Sequence, residues 1–161
     1  MVGVFVDEPV EAILDLARFC GLDLAQLHGA ETPEDVAALE SAGVRVVKAL
    51  FANREPGFAE ARRYGASGFL VECAGGTLPG GNALSWDWAS ARGVGAGRPL
   101  ILAGGLAADN LAWAVERACP RAVDVSSGVE ISPGNKDLVK VREFLAVAAL
   151  CRAPGGEGIF S

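Results

Sequence analysis

The sequence has few of the features that mark nucleic-acid-binding, membrane-spanning or metal-binding proteins. It has 14 basic against 20 acidic residues, a net charge of −6 and no cluster of Lys or Arg, which argues against a nucleic-acid partner. No apolar run approaches the ~20 residues of a transmembrane helix, and the N-terminus lacks the pattern of a signal peptide. The four cysteines show neither a CxxC pair nor a metal-ligand spacing. We therefore expect a cytoplasmic protein with reduced thiols, no metal and no membrane or nucleic-acid partner.

Apolar residues and glycine are what the sequence has in quantity. Of the 161 residues, 51% are hydrophobic and 21 are glycine, which is typical of a globular α/β protein with many tight turns. A chain of this length corresponds to one domain that buries ~70% of its extended surface. We predict one domain over residues 1–150. A disordered tail is expected at residues 151–161, where Pro-Gly-Gly follows the last helical pattern.

Short apolar stretches alternate with helical patterns along the chain. Apolar residues at helical spacing predict amphipathic helices that begin near Val10, Leu111 and Leu138, the last with a stripe that continues through Leu145. Apolar runs without polar alternation, typical of parallel strands covered on both faces, occur at residues 2–6, 24–27, 44–50, 68–71, 99–103 and 122–125. Six βα units in a row predict a parallel sheet, either doubly wound or of the (β/α)8 TIM-barrel type. Six units are too few for the usual closed barrel.

Two loops with small residues follow consecutive strands near the C-terminus. The strand in "ILAGGLAADN" runs into Gly104 and Gly105, and the strand in "VDVSSGVE" runs into Ser127 and Gly128. Small residues let the backbone approach a ligand closely, and N–H groups at a helix start favour an anion. In barrels, the loops after the last two strands commonly bind phosphate. We predict a phosphate site at these four residues, with ordinary strand-to-helix turns as the alternative.

Seven segments together resemble one enzyme family. "VGVFV", "AQLHG", "VVKAL", "GGNALSWDW", "LILAGGL", "VDVSSGVE" and "PGNKD" come in the order and spacing of phosphoribosylanthranilate isomerase, an enzyme of tryptophan biosynthesis. The resemblance covers about residues 2 to 145. It implies a (β/α)8 barrel that converts N-(5-phosphoribosyl)anthranilate to 1-(2-carboxyphenylamino)-1-deoxyribulose 5-phosphate by an Amadori rearrangement, without a cofactor. Because "VGVFV" resembles the third strand of that barrel, the chain is expected to contain units three to eight.

Two functional groups of the family are missing from these 161 residues. The family's general base is a cysteine in a Lys-Ile-Cys-Gly-like motif at the end of the first strand. An arginine from the second βα loop binds the anthranilate carboxylate. Cys20 and Gly21 superficially resemble the first motif, but they close a helix, and we expect Cys20 to be a buried structural thiol.

The resemblance makes Glu72 the candidate general acid. The family has an aspartate at the end of the sixth strand, before a Gly-Gly loop and an aromatic-Asp-Trp motif. Counting back from Trp86-Asp87-Trp88 selects Gly80-Gly81 as those glycines, with the stretch after Glu72 about one residue too long. Glutamate can donate a proton as aspartate can, but its extra methylene moves the carboxyl, and a misplacement of ~1 Å can lower a rate a hundredfold. The alternative is a polar residue that merely ends a strand.

Other polar residues have two interpretations each. His28, the only histidine, either contacts the substrate at the rim or is a hydrogen-bonded structural group. Asp124 resembles an acidic residue in the family's active-site mouth, or is a buried Asp with satisfied hydrogen bonds. Lys48 resembles a lysine of the family's fifth strand, or extends its charged end to solvent. Trp86 and Trp88 are expected to pack in the core.

The sequence thus favours a phosphoribosylanthranilate isomerase-type chain that is inactive by itself and binds a small phosphorylated substrate. Two alternatives remain open: a non-catalytic sugar-phosphate-binding module, and one half of a split enzyme.

Without two strands, the sheet is expected to be open at residues 2–6 and 122–125, where unpaired strand edges favour association. We therefore expect a homo-oligomer or a complementing N-terminal segment.

Overall fold

The computed structural model describes residues 1–73, 86–95 and 97–151, and six parallel strands form its main sheet. The strands lie side by side in chain order, and each pairs in parallel with the next. This confirms the predicted α/β class and the six predicted strands as a half-barrel sheet. The strands are β1 (Val2–Phe5), β2 (Leu24–Leu27), β3 (Arg45–Phe51), β4 (Gly68–Glu72), β5 (Leu100–Leu102) and β6 (Ala122–Val123).

Within the described ranges, four α-helices cover the sheet: α1 (Val10–Cys20), α2 (Pro33–Ser41), α3 (Leu111–Ala118) and α4 (Leu138–Leu150). In the described crossovers after β3 and β4, only the 3₁₀-helices Phe58–Arg63 and Trp88–Ala91 occur, so the six predicted βα units are not all regular. Pro56 and Gly57, both poor helix formers, precede the first of these. After β6 come the 3₁₀-helix Ser127–Val129, a hairpin of β7 (Glu130–Ser132) and β8 (Asn135–Lys136), and then α4.

Local sequence signals determine where α1 and α2 end and begin. Gly21 ends α1 in the left-handed conformation, with φ of 63°, which glycine adopts without strain. Thr32 caps α2 by accepting a hydrogen bond from the N–H of Asp35, whose carboxylate accepts the N–H of Thr32 in return. Pro33 occupies the first turn of that helix, where its missing N–H costs nothing.

Apolar residues cover both faces of the sheet, which explains the apolar runs without alternation. Val46 and Leu50 of β3 point to the helices, where α3 buries the whole predicted stripe of Leu111 and its helical neighbours. Val47, Ala49 and Phe51 of β3, which alternate with them, point to the other face, inside the half-barrel. The cluster on that face consists of Val47, Ala49, Phe51, Leu70 and Ala103.

One prediction about burial is wrong and another is only partly right. Cys20 is exposed, not a buried structural thiol, because it is the last residue of α1 and the chain turns away at Gly21. Leu138 and Leu145 of the last helical stripe are also exposed, and Phe144 and Ala148 are the buried residues of α4.

The two outer strands have open edges in the part of the chain that the structure describes, since β1 pairs only with β2, and β6 only with β5. Val2 and Val4 of β1 are 55% and 60% exposed. Among the described residues, no helix is long and apolar enough to cross a bilayer. Two predicted features lie outside the described residues: the glycines Gly80-Gly81, and the part of the predicted tail beyond Cys151.

Candidate active site

A cleft of about 170 Å³ opens at the carboxyl ends of the strands, the end at which parallel α/β barrels bind their substrates. Residues from β1, β2, β4, β5 and β6, or from the loops that follow them, line it. All seven site residues predicted from the sequence are among them: His28, Glu72, Gly104, Gly105, Asp124, Ser127 and Gly128. Their proximity follows from the topology, since successive parallel strands end at the same edge.

Glu72 and His28 form a buried pair in this cleft. Glu72 is the last residue of β4 and His28 the first after β2, and each is only 6% exposed. The Nε2 atom of His28 lies 2.9 Å from the Oε1 atom of Glu72. Glu72 therefore ends its strand with a carboxyl group that is held by a specific partner.

The neighbours of His28 determine which of its nitrogens carries the proton. The amide nitrogen of Gln26 lies 3.2 Å from Nδ1 of His28. An amide nitrogen can only donate, so with this orientation of the Gln26 amide the matching imidazole tautomer accepts at Nδ1 and donates from Nε2 to Glu72. Phe51 packs edge-on against the imidazole at 5.7 Å between ring centroids.

Asp124 is a second carboxyl group in the cleft. It follows β6 and faces the cleft, with a good part of its surface exposed. Partial burial raises the pKa of Asp124, and the nearby Glu72 carboxylate raises it further, whereas His28 and Lys136 lower it. Asp124 is thus exposed in the cleft and is not the buried aspartate that one of the two sequence interpretations expected.

The turn after β5 needs both of its glycines. Gly104 and Gly105 have φ of 81° and 70°, a region that disfavours side chains with a Cβ atom. The side chain of Asn110 accepts from the N–H of Ala107 at 2.9 Å and donates to the carbonyl of Gly105 at 2.9 Å. Trp88, which is buried as predicted, donates from its indole to the carbonyl of Gly104 at 3.3 Å. The turn is therefore fixed from two sides.

The turn after β6 packs directly against the turn after β5. A Cβ atom at Gly128 would lie 1.8 Å from the carbonyl oxygen of Leu106, so only glycine fits there. Lys136 of β8 donates to the carbonyl of Ser126 at 3.0 Å and to the carboxylate of Glu130 at 2.6 Å. These contacts hold Ser127 and Gly128 beside Gly104 and Gly105.

Sequence reasoning missed Glu31 and left the place of Lys48 undecided. Glu31 lies in the loop after β2, and its carboxylate accepts from the ammonium of Lys48 at 3.0 Å. The Lys48 side chain is fully buried, so it does not extend to solvent. Glu31 stands directly before the capping box of α2, and no local pattern distinguishes it from the exposed acidic residues of that helix start.

The cleft combines a buried carboxyl–imidazole pair, a second carboxyl group and two glycine turns. In the described ranges, no group of three or more His, Cys, Asp or Glu side chains could hold a metal ion. The carboxyl groups can exchange protons with a substrate, and the glycine turns expose backbone to an anion.

The fold and this cleft define a parallel α/β protein of the TIM-barrel type, with a cleft at the carboxyl ends of its strands. The chain belongs to the N-(5'phosphoribosyl)anthranilate (PRA) isomerase family, which it matches over residues 1–147. This confirms the family predicted from the seven sequence segments.

Individual relatives agree with this assignment. An N-(5'-phosphoribosyl)anthranilate isomerase of Desulfatibacillum aliphaticivorans is 53% identical over 144 residues, which are 89% of this chain and 66% of the relative. A phosphoribosyl anthranilate isomerase structure from Thermus thermophilus superposes with a TM-score of 0.77 at 37% identity, covering 94% of this chain and 72% of that one. A third protein was solved in complex with reduced 1-(o-carboxyphenylamino)-1-deoxyribulose 5-phosphate. It has a TM-score of 0.71 at 34% identity and covers 89% of this chain and 68% of that one.

Proposed function

We propose that this chain supplies the proton-donating and phosphate-binding part of a phosphoribosylanthranilate isomerase site. The reaction is the Amadori rearrangement of N-(5-phosphoribosyl)anthranilate to 1-(2-carboxyphenylamino)-1-deoxyribulose 5-phosphate. The observation that carries the proposal is that Glu72 and Asp124 share one cleft with the Gly104-Gly105 and Ser127-Gly128 turns. The relative solved with a reduced 1-(o-carboxyphenylamino)-1-deoxyribulose 5-phosphate supports it, because that ligand combines a sugar phosphate with an aromatic acid.

Glu72 is the proposed general acid. Its Oε1 atom accepts the hydrogen bond of His28 at 2.9 Å, so we assign the transferred proton to Oε2. Protonation of the ribose ring oxygen allows the bond between that oxygen and C1 to break, which leaves an open-chain Schiff base. Loss of the C2 proton to a general base then gives an enolamine, and protonation of its C1 carbon gives the aminoketone product, so the isomerisation needs no cofactor.

The two turns are the proposed phosphate site. The protein has a net charge of −6, so a phosphate cannot rely on the overall field and needs local donors. Backbone N–H groups near Gly105 and Ser127 can provide them, because glycine and serine leave the backbone accessible. Asp124, with its raised pKa, lies in the same cleft and we expect it to bind a hydroxyl group of the sugar.

The general base has no counterpart in the described part of the cleft. The family's Lys-Ile-Cys-Gly-like motif is absent from the 161 residues, and none of the four cysteines lines the described cleft. General-base catalysis typically contributes ~100- to 10,000-fold to a rate. We therefore expect the 161-residue chain by itself to have negligible isomerase activity.

The test compares the chain alone with the chain completed by the family's first two βα units, added in cis or as a separate peptide. We expect turnover of N-(5-phosphoribosyl)anthranilate only with the added segment, and its loss in the completed Glu72→Gln variant. Turnover by the chain alone would contradict the missing-base argument. A completed chain that binds ribose 5-phosphate but never turns over would favour the non-catalytic sugar-phosphate-binding module.

A further inference from the structure

A buried ion pair lies behind the cleft and does not line it. The ammonium of Lys48, in β3, lies 3.0 Å from the Oε2 atom of Glu31, in the loop after β2, and the two side chains are 0% and 3% exposed. Neither residue is needed for the proton transfer or the phosphate contacts described above. The proposed reaction therefore does not explain why two charged groups are buried here.

Lys48 holds the backbone on both sides of His28. Its ammonium donates to the carbonyl of Gly29 at 2.7 Å and to the carbonyl of Leu27 at 3.4 Å. Leu27 and Gly29 directly precede and follow His28. The Lys48 ammonium therefore fixes the position of the backbone from which the imidazole extends. The ammonium also lies 5.9 Å from the centre of the Tyr64 ring.

Glu31 completes the arrangement from the other side. Its carboxylate accepts from the N–H of Gly29 at 3.1 Å. It also accepts from the N–H of Asp7, in the loop between β1 and α1, at 3.0 Å. Asp7 in turn accepts from the N–H of Ala30 at 2.6 Å. A Cβ atom at Gly29 would lie 2.3 Å from the Asp7 carboxylate, so the two loops are in direct contact around this network.

Stability alone does not explain the pair. Removing two charges from water costs about as much as their attraction returns, and apolar pairs of similar volume are often equally stable. Burial lowers the pKa of Lys48, and Glu31, the nearest anion, raises it again, with Asp7 adding to the increase and Arg54 opposing it. What the pair adds is geometry, since four hydrogen bonds to charged atoms converge on the backbone of Leu27 and Gly29, on either side of His28.

We propose that Glu31 and Lys48 are positioning residues, which hold the imidazole of His28 toward Glu72 and so fix the direction of that carboxyl group. The consequence for proton transfer rests on the proposed function of Glu72. The positioning of His28 itself stands on the contacts above, and can be tested without any catalytic assay.

The experiment uses the only histidine of the sequence as its reporter. The full 161-residue chain, labelled with ¹⁵N-histidine, gives one imidazole signal set by NMR. Above the titration range of the imidazole, we expect wild type to show one tautomer, with the proton on Nε2. The main variant is the double substitution Glu31→Gln with Lys48→Met, which leaves no unpaired buried charge. The control is Val46→Ala, in the core and two residues before Lys48 on the same strand, with no contact to His28 or Glu31 among the hydrogen bonds above.

In the double variant we expect a mixture of the two tautomers. The Nε2 proton should also exchange with water at least about tenfold faster than in wild type, which is the size of effect expected when a charge-assisted hydrogen bond is lost. The control should keep the wild-type signals despite its loss of core packing. Unchanged His28 signals in the double variant would overturn the proposal. So would failure of that variant to fold, because the pair would then support the whole sheet. Neither result depends on whether the chain is an isomerase.

Discussion

Gly128→Ala is the most direct test of the phosphate site, because the structure gives the size of the perturbation. The added Cβ atom would lie 1.8 Å from the carbonyl oxygen of Leu106 and 2.9 Å from its carbonyl carbon. Ordinary contacts begin near 3.4 Å, so the turns after β5 and β6 must separate by about 1.6 Å. Both contacts are backbone atoms, and no side chain can rotate away to relieve them.

A separation of that size removes backbone donors from a phosphate held between the turns. Hydrogen bonds need donor–acceptor distances of about 2.7–3.2 Å, and a bond to a charged group contributes roughly 1.5–3 kcal/mol. Losing one such bond lowers the affinity about 10- to 100-fold. Overpacking should also destabilise the fold by about 1–3 kcal/mol, which lowers the melting temperature by roughly 2–12 °C for a chain of this length.

The assay is calorimetric titration of the folded protein with ribose 5-phosphate, with ribose as the ligand that lacks the phosphate. Wild type should bind ribose 5-phosphate weakly and in a salt-sensitive manner. Gly65→Ala is the matched control, because no atom lies within 4 Å of its added Cβ atom. Val46→Ala controls for lost stability without touching the cleft. If folded Gly128→Ala bound ribose 5-phosphate as tightly as wild type, the phosphate would not lie between these turns.

Three further predictions concern charge and association. Gly105→Asp places an anion in the turn after β5 and should abolish ribose 5-phosphate binding in the same titration, whereas Gly65→Asp should not; equal binding by both would refute the site. Folding raises the pKa of Asp124, so its charge destabilises the folded state as the pH rises above ~4. The Asp124→Asn variant should therefore have a higher melting temperature than wild type at pH 7, with a gain in the free energy of unfolding of at most about 1 kcal/mol because the group is partly exposed. Below about pH 4 the two proteins should melt at the same temperature; an equal difference at both pH values would contradict this. The open edge at β1 should make the 161-residue chain oligomeric in sedimentation velocity, and Val2→Lys should shift it toward monomer; a monomeric wild type would show that the edges do not associate.

The sequence alone determined the features that depend on neighbouring residues. The apolar runs predicted six strands because parallel strands covered on both faces need no polar alternation. The Thr32 capping box and the Gly21 helix end were predictable for the same reason, since their hydrogen bonds span a few residues. The seven predicted site residues line one cleft because each ends a strand or lies in the loop that follows one, and a parallel sheet brings such ends to one edge.

The tertiary structure decided how those residues contact one another. His28 and Glu72 are 44 positions apart, and nothing near either one shows that the two side chains meet. Glu31 and Lys48 were missed or left undecided, because an acidic residue before a helix and a lysine in a strand are usually solvated. Cys20 and Leu145 fit helical patterns but are exposed, since burial depends on what packs against the helix. Local sequence fixes backbone conformation through short-range hydrogen bonds and steric limits, whereas burial and the pairing of charges arise only when distant segments pack together.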